Sequence, residues 1–217
     1  IENNPSPFYP PLYSILISIS YLADNMRSVY LIFKIINSLI SSLVIIPAYL
    51  LSKEFLNEKQ QLYIPILISL FPSNFSFSNY VLSENLFFPL FLFSIYYIYS
   101  SLKENTKKNH ILAAIFIALS FLTKQIGIIL IFIYFITPFI NKLILKEQVK
   151  IKNILFGLLI IAIIISPWLL RNSINFGFSI YGLLGGGAND NINSAARYGD
   201  IYIFALLNWS ILNIVAL

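Results

Sequence analysis

The sequence of 217 residues contains no cysteine, a single histidine and few charged side chains. Without cysteine the chain has neither disulfide bonds nor a cysteine-ligated metal site. Charged residues make up 11% of the sequence, whereas a typical soluble domain carries about 25%. Hydrophobic residues make up 58%, and the mean hydropathy is +0.80. These values exclude a soluble globular domain and a disordered chain, and they leave an integral membrane protein made of helices.

Several common catalytic motifs are also absent from the sequence. It has no glycine-rich phosphate loop after a strand, no HExxH pattern and no grouping of serine, histidine and aspartate on one element. The net charge of +5 arises from lysines between apolar runs, so no nucleic acid partner is needed to explain it. The single histidine, His110, lies among lysines at the start of an apolar run, where a structural role is more usual than a catalytic one.

Long apolar runs predict an all-α integral membrane protein, because about 20 apolar residues cross a bilayer core. The run Pro10–Ala23 is too short to cross and is predicted to lie on the membrane surface as an interfacial helix that starts at its prolines. The predicted spans are about residues 29–51, 62–81, 86–102, 111–123, 126–140, 154–170 and 201–217. We therefore expect one transmembrane domain over residues 1–217, a polytopic bundle of six complete spans and a truncated seventh, with an outer loop at 171–200.

The lysines decide how the long run Ile111–Ile140 is divided. Nine of the fourteen basic residues lie in three connections between apolar runs, and lysine favours the cytoplasmic side. They are Lys53, Lys59, Lys103, Lys107, Lys108, Lys142, Lys146, Lys150 and Lys152. The three connections share one side only if the run forms two short spans that turn at Lys124–Gln125. This orientation places the N-terminus and residues 171–200 outside the cytoplasm.

Three ionisable residues lie at the predicted outer ends of spans. Glu84 follows the second span, Lys124 lies at the tight turn, and Arg171 ends the sixth span. Ionisable groups at this depth are costly, and one acid with two cations can form a site for a phosphate-bearing lipid substrate. Structural explanations also exist, because cations at helix ends extend into the headgroups and an acid stabilises the start of a helix.

Five short segments, in order along the chain, resemble the membrane-embedded GT-C glycosyltransferases that use a polyprenyl-phosphate-linked sugar. This family includes the protein O-mannosyltransferases and the aminoarabinose transferases that modify lipid A. The segments are Tyr9–Tyr13, Pro47–Lys53, Leu82–Phe87, Leu119–Lys124 and Ser166–Asn172. In the first of them Tyr9 stands where the family usually has a histidine. The resemblance covers roughly residues 5–177.

The resemblance implies that a sugar is transferred, with inversion, from a dolichyl- or undecaprenyl-phosphate donor to an acceptor outside the cytoplasm. It implies that Glu84 is a second catalytic acid and that Lys124 and Arg171 bind the donor phosphate. The first acid is expected before residue 1, since the sequence begins at Ile1 and reads as an internal fragment. No cofactor is implied, and the use of a divalent metal is left open.

Two other functions stay open at the level of the sequence. A transporter or lipid flippase subunit would explain the many spans and the prolines within them, but the stretches at mid-membrane carry no charge. A non-catalytic membrane scaffold is the second alternative. For the glycosyltransferase, the expected partners are the lipid-linked sugar donor, membrane lipid and an acceptor that is a protein, a lipid or a glycan. The bias towards isoleucine, asparagine and lysine fits an AT-rich prokaryotic genome, so we expect the membrane to be the plasma membrane of a prokaryote.

Overall fold

The computed structural model describes residues 10–70, 80–144 and 151–176. Within these ranges the protein is built from helices and contains no β-strand, which confirms the all-α membrane class. The chain divides into two compact units, one of Tyr9–Trp168 and the other of Ile1–Phe8 with Leu169–Leu217. All described residues up to Trp168 belong to the first unit.

The described residues form eight α-helices. They are α1 Pro11–Ser18, α2 Met26–Ser42, α3 Ile45–Phe55, α4 Tyr63–Ser69, α5 Glu84–Glu104, α6 Lys107–Thr123, α7 Ile128–Ile144 and α8 Ile151–Phe176. Three helical stretches in these ranges are long and apolar enough to cross a membrane, namely Met26–Phe55, Glu84–Glu104 and Ile151–Asn175. The remaining crossings stay predictions.

The helices begin where the sequence supplies a start signal. α1 begins at Pro11, because a proline has no N–H to leave unpaired and its fixed φ suits the first helical position. Asn25 caps α2, since its side-chain oxygen accepts a hydrogen bond from the N–H of Ser28 at 2.9 Å. Thr106 caps α6 in the same way through the N–H of Asn109, at 3.4 Å.

A break at Leu43–Val44 separates α2 from α3. Pro47 lies four residues after Leu43, and a proline at this spacing cannot donate to the Leu43 carbonyl and also crowds it. The predicted span 29–51 therefore corresponds to a longer helical stretch, Met26–Phe55, that is interrupted in its middle.

α5 and α6 form an antiparallel hairpin at the centre of the first unit. Asn105 ends α5 in the left-handed conformation (φ 47°), which asparagine adopts more readily than most residues, so that Asn105 and Thr106 alone connect the two helices. The hydroxyl oxygens of Ser94 and Ser120 lie 3.2 Å apart between the helices. Three residues of α6 with no exposed surface are alanines: Ala113, Ala114 and Ala118. Small side chains of this kind let two helices approach closely in a membrane.

The chain turns back between α6 and α7. Lys124 has an extended backbone (φ −151°, ψ 132°), and a 3₁₀ turn over Gln125–Gly127 leads into α7. The turn requires Gly127, because a Cβ atom there would lie 2.7 Å from the backbone nitrogen of Phe121. The run Ile111–Ile140 thus holds two helices, and the crossing of the membrane by each of them stays a prediction.

Some predicted boundaries differ from the structure or lie outside the described residues. α8 continues to Phe176, so the outer loop does not begin at residue 171 as expected. The reason is local, since Arg171–Phe176 contain no glycine or proline that would weaken the helix. Tyr9, the later part of the second predicted span (residues 71–79), residues 177–200 and the seventh span at 201–217 lie outside the described residues.

Candidate functional site

Glu84 is the first residue of α5. A carboxylate at this position is stabilised by the partial positive charge of the helix N-terminus. The Ser83 hydroxyl donates a hydrogen bond to Oε2 of Glu84 at 3.4 Å. The side chain of Glu84 retains 25% of its exposure, so the carboxylate is held by the protein and still accessible.

Glu84 and Lys124 form an ion pair. Nζ of Lys124 lies 2.5 Å from Oε1 of Glu84, although forty residues separate the two in sequence. The α5–α6 hairpin brings them together, since Glu84 begins α5 and Lys124 directly follows α6. Lys124 is 40% exposed, and ion pairs this open contribute about 1 kcal/mol or less to folding. The pair is therefore weak enough for an incoming anion to compete for the lysine.

Arg171, the third predicted site residue, lies in the second unit, near the end of α8. Its side chain is exposed, and its Nη1 donates a hydrogen bond to Oδ1 of Asn172 at 3.1 Å. The backbone carbonyl of Arg171 accepts a hydrogen bond from Nδ2 of Asn175 at 2.7 Å. The guanidinium is thus an exposed cation, and its membership of the site stays a prediction from sequence.

A buried polar network that sequence reasoning missed lies next to Glu84. The Tyr13 hydroxyl of α1 donates to Oδ1 of Asn37 in α2 at 3.0 Å. Nδ2 of Asn37 donates to the backbone carbonyl of Tyr80 at 3.1 Å. Nδ2 of Asn85 donates to the same carbonyl, also at 3.1 Å. These three side chains and the Tyr80 carbonyl, here called the Asn37 network, join α1 and α2 to the start of α5.

The Asn37 network is shielded from the surroundings. The exposed fractions are 7% for Tyr13, 1% for Asn37 and 2% for Asn85. Burial raises the pKa of Tyr13 above its ordinary value, and the nearby negative charge of Glu84 adds to the rise. The hydroxyl of Tyr13 therefore stays protonated and keeps its role as a donor.

One sequence signal points to this network in retrospect. The buried face of α2 consists of Val29, Phe33, Asn37 and Ile40, so an amide occupies the third position of an otherwise apolar stripe. A polar group buried in such a stripe is costly unless it is hydrogen-bonded. The spacing of apolar residues identifies the anomaly, but it does not identify the partners, which come from helices distant in sequence.

A second polar cluster lies at the opposite end of α5. Nδ1 of His110 lies 2.8 Å from the Tyr134 hydroxyl, and Nε2 lies 3.3 Å from Oδ1 of Asn105. Nδ2 of Asn153 donates to the Asn105 carbonyl at 3.2 Å. We call these four residues the His110 cluster; it joins the α5–α6 connection to α7 and α8. His110 and Tyr134 are each 2% exposed, which fits the structural role expected for the histidine.

Metal-ligating side chains do not gather in the described ranges, where no group of three or more histidine, aspartate or glutamate residues is placed to hold an ion. The chemistry that the described residues offer at the Glu84 end is therefore that of one carboxylate and one ammonium group. Such a pair can accept a proton or orient a hydroxyl, and it can bind a phosphate.

The comparison with known families agrees with the five resembling segments. Residues 8–170 match the family described as dolichyl-phosphate-mannose-protein mannosyltransferase. No curated protein and no solved structure matches the chain. The family match covers about three quarters of the sequence and includes both polar clusters, while Arg171 lies one residue beyond it. By this match the chain belongs to the dolichyl-phosphate-mannose-protein mannosyltransferase family of membrane glycosyltransferases.

Proposed function

We propose that the protein is an inverting glycosyltransferase. Its donor is a sugar linked to dolichyl or undecaprenyl phosphate, and its acceptor receives the sugar at the extracytoplasmic membrane face. The observation that carries the proposal is the ion pair of Glu84 and Lys124. It lies at a helix end, is partly exposed, and falls inside the region that matches the family.

Lys124 is proposed to bind the donor phosphate. When the bond between the anomeric carbon and the phosphate oxygen breaks, the leaving phosphate gains a negative charge. A fixed cation stabilises this charge more in the transition state than in the ground state, and so it accelerates the reaction. Because the ion pair with Glu84 is worth only about 1 kcal/mol, a phosphate can draw the ammonium group away from the carboxylate.

Glu84 is proposed to act on the acceptor hydroxyl. The hydroxyl oxygen bonds to the anomeric carbon, the carbon–phosphate oxygen bond breaks, and the hydroxyl proton must pass to a base. A carboxylate within hydrogen-bond reach can accept this proton or orient the hydroxyl. We assign Glu84 as the second acid of the site, the role that the resemblance of the Leu82–Phe87 segment implies.

Arg171 is proposed as a second cation for the donor phosphate. This role comes from the resemblance of the Ser166–Asn172 segment, and the exposed guanidinium is chemically suited to it because its planar fork can bind two phosphate oxygens. The family match favours a glycosyltransferase over the transporter and scaffold alternatives. The ion pair agrees with this choice, since neither alternative requires an acid and a cation paired at a helix end.

The test is a transfer assay with the full-length protein in membranes that contain the natural acceptor. Dolichyl-phosphate-linked mannose and an undecaprenyl-phosphate-linked sugar serve as donor probes, and the released polyprenyl phosphate is measured. We expect Glu84→Gln and Lys124→Met to lower transfer about 100-fold or more, as in other sites that lose a charged catalytic group. Arg171→Ala tests the third predicted residue in the same assay.

Lys103→Met is the matched control. Lys103 pairs with Glu54 at 2.7 Å, so the variant also removes one lysine and one ion pair, but at the other end of α5. Transfer should be close to that of the unchanged protein. Full activity of both Glu84→Gln and Lys124→Met would overturn the proposed function.

A further inference from the structure

We propose that the Asn37 network is a positioning device for Glu84. In this view Tyr13 and Asn37 hold the Tyr80 carbonyl, the carbonyl holds the first turn of α5, and the first turn aims Glu84 at Lys124. The inference rests on the proposed function, because it gives Tyr13 and Asn37 a purpose only if the direction of the Glu84 carboxylate matters.

The Tyr80 carbonyl is the point at which the network acts. It accepts three hydrogen bonds, from Nδ2 of Asn37 at 3.1 Å, from Nδ2 of Asn85 at 3.1 Å and from the backbone N–H of Leu82 at 3.0 Å. The carbonyl lies four residues before Glu84. Three donors from two helices and the chain itself therefore converge on one oxygen immediately before the catalytic candidate.

Asn37 is the element that connects separate helices. Its Oδ1 accepts from Tyr13 of α1, and its Nδ2 donates towards the start of α5, so both ends of one amide are used. The side chain sits on the buried stripe of α2, where a leucine of similar size would be cheaper to bury. The net gain from a buried hydrogen bond is small, because the bond replaces hydrogen bonds that the amide would make to water. The gain from Asn37 is therefore mainly geometric.

Glu84 depends on such a device because its own ion pair is weak. Successive helical residues point about 100° apart, so Asn85 can anchor the buried side of the first turn while Glu84 lies on the accessible side. This division agrees with their exposure, since Asn85 is 2% exposed and the Glu84 side chain is 25% exposed. A shift of the first turn would move the carboxylate relative to Lys124 and to an acceptor hydroxyl.

The experiment compares two buried tyrosine hydroxyls. Tyr13→Phe removes the hydroxyl of the Asn37 network. Tyr134→Phe removes the hydroxyl of the His110 cluster, which is also buried and also bonded to another side chain. Transfer from dolichyl-phosphate-linked mannose is measured with the full-length protein over a range of donor concentrations. We expect Tyr13→Phe to lower kcat about 10-fold with little change in the donor KM, because a misplaced group slows the reaction without weakening phosphate binding. Tyr134→Phe should leave both constants unchanged.

A double-mutant cycle separates positioning from general packing. Asn37→Leu should also lower kcat about 10-fold, but Asn37→Leu combined with Glu84→Gln should be no worse than Glu84→Gln alone, since residues that act through one group are not additive. If Glu84→Gln keeps full transfer, the proposed function fails. If Glu84→Gln is impaired while Tyr13→Phe keeps full transfer, or loses it no more than Tyr134→Phe does, the proposed function stands and the positioning inference fails. Should Asn37→Leu fail to fold, Tyr13→Phe alone decides the question.

Discussion

The two ends of helix α5 carry polar clusters of opposite character. At the start of the helix, Glu84 and Lys124 form a charged pair that is 25% and 40% exposed. Beyond its end, His110 and Tyr134 form a neutral pair in which each residue is 2% exposed. Both clusters include residues of the same α5–α6 hairpin, but the His110 cluster also draws Tyr134 from α7 and Asn153 from α8.

The two clusters differ in whether their hydrogen-bonding groups are accessible to a ligand, which distinguishes a candidate site from a structural contact. The His110 cluster is closed, because both ring nitrogens of the histidine already have protein partners and little surface is left for a ligand. The Glu84–Lys124 pair is charged, and both side chains are partly accessible. A phosphate or a hydroxyl can exchange with such a pair at low cost, whereas opening the His110 cluster would leave buried polar groups unpaired.

The largest expected effect is in a labelling experiment that reports the side of the membrane on which each end of α5 lies. The sequence given contains no cysteine, so single cysteines can be introduced and labelled with a reagent that does not cross the membrane. We expect Gln125→Cys to be labelled from outside the cytoplasm and Lys108→Cys, which is exposed near His110, only from inside. The result is all or none. Labelling of Gln125→Cys from the cytoplasmic side alone would refute the two-span topology and the predicted position of the site.

The next effect, about 100-fold in transfer, is expected when the two charges are exchanged at the Glu84 end of α5 but not at its other end. The double variant Glu84→Lys with Lys124→Glu keeps an ion pair but inverts its direction, so that the phosphate meets a lysine on α5 instead of at the turn. We expect transfer to stay lost even if the melting temperature is unchanged. The matching exchange, Lys103→Glu with Glu54→Lys, should leave transfer intact, since that pair is assigned no chemical role. Equal activity of the two double variants would remove the distinction between the ends.

A smaller effect, about 10-fold in transfer, is expected from adding one methyl group at the Glu84 end of α5 but not at the His110 end. In Gly127→Ala the new Cβ would press on the backbone of Phe121, and the turn that carries Lys124 would have to shift. In Gly157→Ala the new Cβ would overlap the Tyr134 hydroxyl of the His110 cluster. Overpacking of this kind costs about 1–3 kcal/mol of stability in both variants.

Measuring stability and transfer in parallel distinguishes the two glycines. Gly127→Ala should lose transfer beyond what its stability explains, whereas the transfer activity of folded Gly157→Ala protein should be normal. Thermal unfolding monitored in detergent gives the stability. Transfer activity per folded molecule gives the loss that stability does not explain. Equal transfer by the two variants would show that the position of Lys124 is not critical.

The smallest effect is a pH dependence confined to the histidine end. Burial lowers the pKa of His110, which precedes the predicted span 111–123, so the folded protein holds a neutral ring. As pH falls below the ordinary histidine value of 6.5, the unfolded chain binds a proton that the folded chain excludes, and stability decreases. We expect the melting temperature to fall between pH 7 and pH 5, and His110→Gln to reduce this fall. An unchanged pH profile in His110→Gln would show that the ring has no part in it.

Sequence reasoning singled out Glu84 and Lys124 but not the Asn37 network beside them. Glu84 and Lys124 are visible because isolated charges stand out against apolar runs, and the shared depth of the two residues follows from counting spans. Asn37 and Tyr13 carry no such contrast, since one asparagine or tyrosine in a span has many possible partners. Pairing between α1, α2 and α5 depends on tertiary packing, and apolar spacing does not encode it.

The helix boundaries show the same division between local and tertiary information. The break at Leu43 follows from Pro47, and the end of α5 follows from the readiness of asparagine to adopt a left-handed conformation. α8 extends past Leu170 because the polar residues that end the predicted membrane span do not end the helix. Nothing in Arg171–Phe176 interrupts helical hydrogen bonding, and polarity alone does not end a helix.

The lengths of the two helices beside Lys124 have a consequence for the surrounding lipid. α6 has 17 residues in all, and the predicted spans 111–123 and 126–140 have 13 and 15, so each covers about 25 Å or less of the roughly 30 Å of a bilayer core. If both helices cross, the hydrophobic mismatch has to be met by the lipids, and we expect the outer leaflet to thin beside the turn. Thinning would carry headgroup phosphates inward to the depth of Lys124. A donor anchored in that leaflet could then reach the ammonium group without leaving its place among the lipids.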